Sequence, residues 1–210
     1  MAEISAALVK ALRERTGAGM MECKSALKEA NGDLAEGEVV LRKRGIASAG
    51  KKASRATRQG LIGTYIHHGG QLGVMVEVNC ESDFVARTDD FQELVHDIAM
   101  HIAAADPKFI RKEDVTEDVL LKEQDIQKAR ALAEGKPEKM IEKITEGRMA
   151  KFYEEICLLE QPFVKEATLT VGQLVKTKIA KLGENISVAR FVRFKVGDTQ
   201  AAEATEPAAE

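Results

Sequence analysis

Two runs of alternating apolar residues, 61–67 and 72–78, flank a short turn at His68-Gly69-Gly70-Gln71. This hairpin signature constrains the fold more than any other feature of the chain. A strand pair of this kind has a face to bury, and the next segment supplies the cover. Residues 74–87 run from a strand through Asp83 and Phe84 towards a helix start at Thr88, where Asp89 and Asp90 suit the positive helix end. That helix carries Phe91, Leu94, Val95, Ile98 and Ile102 on one side, the stripe of a helix laid across a sheet. Asp106-Pro107 ends it. The predicted fold class is therefore α+β, with an antiparallel sheet and packed helices.

The rest of the chain is organised around that core. Ile4, Leu8, Val9 and Leu12 follow helical spacing, and the glycines of 16–19 break it. A second helix is expected from Met20 to Ala30, stopped by Asn31-Gly32, and a third from Asp33 to Arg44, stopped by Gly45. Residues 1–46 thus read as a three-helix bundle and 47–60 as a basic linker, with partial helix left open. Residues 61–196 form the α+β core. Within it, 116–157 reads as two long helices reversed at Gly135 and Pro137, hence antiparallel, each roughly 25–30 Å long. Val119, Ile126, Ala129 and Ala133 are expected to line one stripe, and Ile141, Thr145, Met149, Phe152 and Ile156 the other. Narrow stripes on heavily charged arms suggest a protruding helical hairpin. A helix at 171–182 and a strand at 186–196 follow, with Val188, Phe191 or Val192, and Phe194 available to the core. Residues 197–210 hold Ala, Glu and Thr with little to bury, and disorder is expected there.

Composition narrows the function classes. A net charge of −3 argues against a general nucleic-acid binder. Three widely spaced cysteines give no disulfide framework and suggest a reducing compartment, with the cytoplasm as the default. No apolar run is long enough to span a bilayer, and the start does not read as a signal peptide. Salt-dependent RNA binding through Arg42 to Arg58 remains open as an alternative.

Chemistry-bearing constellations are sparse. Cys80 follows a strand and lies near His67 and His68 in sequence, but nothing around it resembles a catalytic signature; a thiol enzyme remains the weaker alternative. His96 and His101 diverge by about 140° on a helix and cannot share a metal locally. Gly17-Ala18-Gly19 lacks the Lys-Ser/Thr of a phosphate loop. No cofactor, metal site or catalytic residue is expected. Met20 and Met21 cannot both point inward, and spacing favours one of them as core, with an exposed Met beside Arg13 as a protein contact. Asp83 and Phe84 read either as a turn acid with a ring folded back on the sheet, or as a protruding wedge.

Several longer motifs together resemble one family, elongation factor Ts of bacteria and organelles. They are 8–27 with Ala30-Asn31-Gly32-Asp33, Tyr65-Ile66-His67, 73–86, 96–104, Gly147-Arg148-Met149, 161–164, 170–174 and 183–186. The resemblance covers nearly all of the chain except the tail, and it is to the short form with one core subdomain. It implies a ubiquitin-associated (UBA-like) type for the amino-terminal bundle and a tendency to dimerise. It implies a non-enzymatic guanine-nucleotide exchange factor that binds elongation factor Tu with GDP and holds its nucleotide-free form. By the same resemblance, Ser82, Asp83, Phe84 and Val85 enter the GTPase near its magnesium site. Arg13, Met20 and Met21 dock on a helix of the GTPase domain, and His67 meets the partner. Two positions depart from the pattern. Ser82 stands where threonine is usual and keeps the hydroxyl. Gln71 stands where the turn usually carries arginine, so a salt bridge from that position is lost.

Overall fold

The computed structural model describes residues 4–198, and the expected tail falls outside them from residue 199 on. The chain forms two compact units interleaved along the sequence. The first takes the chain up to Gly60, then Asn79–Phe91 and Val175–Ser187; the second takes Leu61–Val78, Gln92–Leu174 and the chain from Val188 on.

The first unit begins with helices α1 (Ala6–Thr16), α2 (Met20–Glu29) and α3 (Leu34–Lys52). Each start is fixed by a polar group. Ser5 accepts the Leu8 N–H at 3.3 Å, Glu22 accepts the Gly19 N–H at 3.2 Å, and Asp33 accepts the Glu36 N–H at 2.8 Å. Gly17 at φ +68° ends α1, and Asn31 and Gly32 at φ +50° and +88° turn the chain after α2. Val9, Leu12, Cys23, Ala26 and Leu27 form the buried centre, with Leu8, Leu34, Val40 and Leu41 packed on it.

The expected stop at Gly45 does not occur: α3 runs on to Lys52, and Ala49 is buried. Gly45 instead lies against α8 (Val171–Leu182), where a β-carbon would stand 2.9 Å from that of Ala180. A glycine inside a helix costs only about 1 kcal/mol, so close packing can place one there.

The second unit is built on a three-stranded sheet, β1 (Gln59–Ile66), β2 (Leu72–Cys80) and β5 (Ile186–Lys195), in the order β1-β2-β5. The His67 N–H closes the expected hairpin on Leu72 O at 2.8 Å. The Val196 N–H reaches Gln71 O at 2.9 Å, and Arg190, further back on β5, pairs with Glu77, further along β2, at 2.7 Å. That register makes β5 antiparallel to β2. After β2 come a one-turn helix α4 (Asp83–Ala86) and the long α5 (Asp89–Ala105). All five residues of the expected α5 stripe are buried. Val74 and Val76 are buried too, Gly63 leaves room for the Val95 side chain, and the Tyr65 ring meets His96 edge-on. The other sheet face is exposed and apolar, carrying Ile62, Ile66, Met75 and Val192. Phe194, expected to be available to the core, lies on that outer face at 68% exposure. Alternation fixes which residues share a face but not which face is covered.

Helices α6 (Glu117–Ala133) and α7 (Glu138–Ile156) pack against one another across a turn with Gly135 at φ +70°. The α7 stripe is as expected, with Ile141, Thr145 and Met149 buried. The α6 stripe is not. Ile126, Ala129 and Ala133 are exposed, while Gln127 and Ala131 are buried. The apolar residues of α6 are spread around the helix and not gathered on one side, so the neighbouring helix sets the rotation, and it turns a glutamine inward. A small antiparallel pair, β3 (Pro162–Phe163) and β4 (Glu166–Thr170), follows α7 and is absent from the sequence reading. His101 anchors this region. Its Nδ1 accepts the Val164 N–H at 3.3 Å, so its Nε2–H donates to Gln161 Oε1 at 2.9 Å, and Gln161 donates to Glu155 O at 2.7 Å.

Candidate functional site: an exposed corner

The corner between β2 and α5 lies in the first unit. Ser82 shapes it. Its backbone is extended, at φ −127° and ψ 157°, and its Oγ accepts the Val85 N–H at 3.4 Å, which starts α4 at Asp83. Thr88 then accepts the Phe91 N–H at 3.3 Å, opening α5, and donates to Val85 O at 2.8 Å. Two short-range caps in succession thus set the path of the chain. The extra helical turn between them was legible in Ser82-Asp83, a cap residue followed by a first-turn acid.

The ring of Phe84 is 78% exposed. The folded-back reading of this residue is therefore overturned: the ring stands in solvent. Asp83 is tied to Arg87, one helical turn on, at 2.9 Å. Ser82, Asp83 and Val85 are half-buried. Beneath them Glu184 accepts three hydrogen bonds, from the Glu81 N–H at 3.1 Å, the Ser82 N–H at 2.9 Å and the Ser82 hydroxyl at 2.6 Å. Sequence spacing gives no hint of this contact, since Glu184 lies a hundred residues away.

Cys80 closes the underside, donating from its thiol to Ser82 O at 3.1 Å. It is fully buried, and burial, then the nearby Glu184 charge, raises its pKa above the ordinary thiol value of 9.0. A nucleophilic thiol needs the opposite shift and access, so the thiol-enzyme alternative loses its candidate. Cys157 is likewise buried, its pKa pushed up to about 11 mainly by desolvation. Among the described residues no group of three or more His, Cys, Asp or Glu side chains could hold a metal ion. No helix among them is long and apolar enough to cross a membrane.

A second exposed set lies on the helical bundle. Arg13, in the last turn of α1, and Met20 and Met21, opening α2, flank the loop at Gly17. Met20 is 45% and Met21 77% exposed, so neither is core. The expectation that one packs inward fails because Cys23, Ala26 and Leu27 already fill the inner face of α2. His67 belongs to the other unit, at the end of β1, where its Nδ1 lies 3.1 Å from the Tyr65 hydroxyl and its ring meets His68.

Comparison with known proteins assigns the family. The profile described as Elongation factor TS matches residues 9–200. The chain is 89% identical to the elongation factor Ts of Solibacter usitatus, with all of both chains covered. It is 67% identical to that of Koribacter versatilis, over 93% of this chain and 89% of the relative, and 59% identical to that of Moorella thermoacetica, over 93% and 96%. With a buried, paired scaffold beneath a solvent-exposed ring and this likeness over its whole length, the chain belongs to the elongation factor Ts family.

Proposed function

We propose that the protein is a guanine-nucleotide exchange factor for elongation factor Tu in translation elongation, acting by binding alone and without enzymatic chemistry of its own. It binds the GDP form, promotes GDP release and holds the nucleotide-free form until GTP enters. The observation that carries this reading is Phe84, a large ring held 78% exposed on a corner whose backbone is fastened from below. Leaving such a ring in water is unfavourable for an isolated chain and favours a partner that covers it.

In this reading Ser82, Asp83, Phe84 and Val85 enter the GTPase beside its magnesium ion. The ion neutralises phosphate charge and bridges the diphosphate to the phosphate loop. A ring pushed between the elements that orient its water ligands, with a carboxylate beside it, weakens that hold. Linkage makes the effect reciprocal, so returning nucleotide weakens the factor equally and releases it. Arg13, Met20 and Met21 form the second contact, from a bundle of the UBA-like type, and adaptable methionines suit such a surface. His67 supplies a third. The α6–α7 pair is a protruding hairpin in this picture.

The protein acts in the cytoplasm and forms a homodimer through residues 61–196. Support for self-association comes from the outer sheet face, where Ile62, Ile66, Met75, Val192 and Phe194 lie exposed around the Glu77–Arg190 pair. A face of this kind fits the same face of a second copy. No direct nucleic-acid contact is proposed, since the chain as a whole is acidic, with a net charge of −3.

Stopped-flow release of fluorescent GDP from elongation factor Tu tests the central claim. Release is expected to accelerate with the protein and to lose most of that acceleration with Phe84→Ala. Unchanged release in the presence of the wild-type chain would end the reading. Light scattering tests the dimer: a mass near 22.9 kDa at micromolar concentration is the monomer result that counts against it.

A further inference from the structure

We infer that Glu184 and Asn185 are positioning residues that set the direction of the Ser82–Val85 corner for its partner. The inference rests on the reading of that corner as the exchange wedge. Every contact involved lies within the first unit.

The two strips of chain hold one another reciprocally. Glu184 accepts the N–H groups of Glu81 and Ser82 and the Ser82 hydroxyl, at 3.1, 2.9 and 2.6 Å. In return the Asn185 N–H donates to the Glu81 carboxylate at 2.6 Å. The side-chain amide of Asn185, itself only 6% exposed, donates to Ala53 O at 3.3 Å and Arg55 O at 2.8 Å, just past the end of α3. Arg55 closes the loop by pairing with Glu81 at 3.5 Å. Gly183 makes the geometry available. At φ +80° it ends α8, its N–H bonded to Ile179 O at 3.0 Å, and turns the chain so that residues 184 and 185 face the corner.

The physical need is plain. Between the end of β2 and the start of α4 the backbone amides of Glu81 and Ser82 have no ladder or helix partner, and an unmet, half-buried donor is costly. A carboxylate meets both at once, and bonds to a charged acceptor are the stronger kind. A segment whose amides are so held has one direction in the free protein. If the correct direction were only fractionally populated, the apparent affinity for the GTPase would fall by that fraction.

The test measures exchange on elongation factor Tu against factor concentration. Glu184→Ala is expected to raise the half-saturating concentration about tenfold while the limiting rate stays within about twofold, the signature of a lost pre-set conformation. Glu184→Gln should return it to within about threefold, because the amide oxygen can accept both N–H groups and the amide nitrogen can donate to the Ser82 oxygen. Asn185→Ala keeps the backbone bond to Glu81 and removes only the ties to residues 53 and 55, so an increase of about threefold is expected even if Glu184→Ala folds poorly. In the wild-type chain, slow hydrogen exchange at the Glu81 and Ser82 amides is expected, and fast exchange there would overturn the inference. Wild-type half-saturation in the Glu184 and Asn185 variants, alongside a slowed Phe84→Ala, would overturn the inference and leave the wedge standing. Wild-type kinetics in Phe84→Ala would overturn the wedge reading and this inference with it.

Discussion

The corner at Ser82 and the helix pair α6–α7 both expose large apolar side chains, and they are built in opposite ways. At the corner the polar groups beneath the ring are matched: two amides, two hydroxyls and a thiol all have partners. Between α6 and α7 the buried Gln127 Oε1, Thr145 Oγ1 and Arg148 Nη1 have none, although Leu121, Ile126, Leu132 and Met140 sit outside in water. In the proposed exchange reading the corner pushes on its partner, which needs stiffness, and satisfied hydrogen bonds provide it. A seam with unmet polar atoms gives up stability and holds its two helices less firmly. Exposed hydrophobic area alone does not separate these cases; the state of the polar groups under it does.

The contrast can be broken by substitution. Phe84→Ala should slow GDP release about thirtyfold, the loss expected when a central interface aromatic is truncated, with the melting temperature unchanged. Ile126→Ala, also at an exposed apolar position, should leave release at the wild-type rate. Equal losses in stopped-flow assays would mean that the hairpin carries the exchange as much as the corner does.

Acid should reach the second unit first. Burial lowers the pKa of His101 below 6.5, and the Val164 N–H aimed at Nδ1 leaves no room for a second proton. Its folded pKa is depressed, so the unfolded chain takes up the proton first as pH falls. The contribution is whole above 6.5 and is lost as pH drops below that value through the folded pKa. Protection factors, corrected for the intrinsic slowing of amide exchange in acid, should fall across that range at Val164 and the last turn of α7 while that of the Ser82 amide holds. His101→Gln should flatten the slope of the urea midpoint against pH.

Thr145→Val exchanges a buried, unpartnered hydroxyl for a methyl group of like shape and should stabilise the protein by about 1 kcal/mol in urea titration. No change would mean that the hydroxyl is met by water and that the seam is tighter than its protein contacts indicate. The smallest effect is expected for Arg87→Ala. Its ion pair with Asp83 is exposed, so stability should move by less than about 0.5 kcal/mol by the same titration.

Much of this architecture is legible in the residues. The β1–β2 turn, the α5 stripe and the caps at Asp33 and Thr88 follow from local rules that act within a few positions. What escaped reading depends on distant chain. Gly45 looks like a stop until Ala180 is beside it, and Gln127 looks exposed until α7 turns it inward. At the corner, Ser82, Asp83 and Phe84 could be picked out one by one, but the carboxylate that holds them comes from Glu184. Spacing alone turns one of Met20 and Met21 inward, because it says how far apart two side chains point, and not that Cys23, Ala26 and Leu27 already fill the interior.

The close approach of Gly45 to Ala180 has an evolutionary consequence. The packing there limits the combined bulk of two opposed sites, so a change at one can be offset at the other. A homologue with alanine at 45 should carry glycine at 180, and the reciprocal swap made here should rescue each single change. Lineages could drift along that exchange without ever prying α3 from α8.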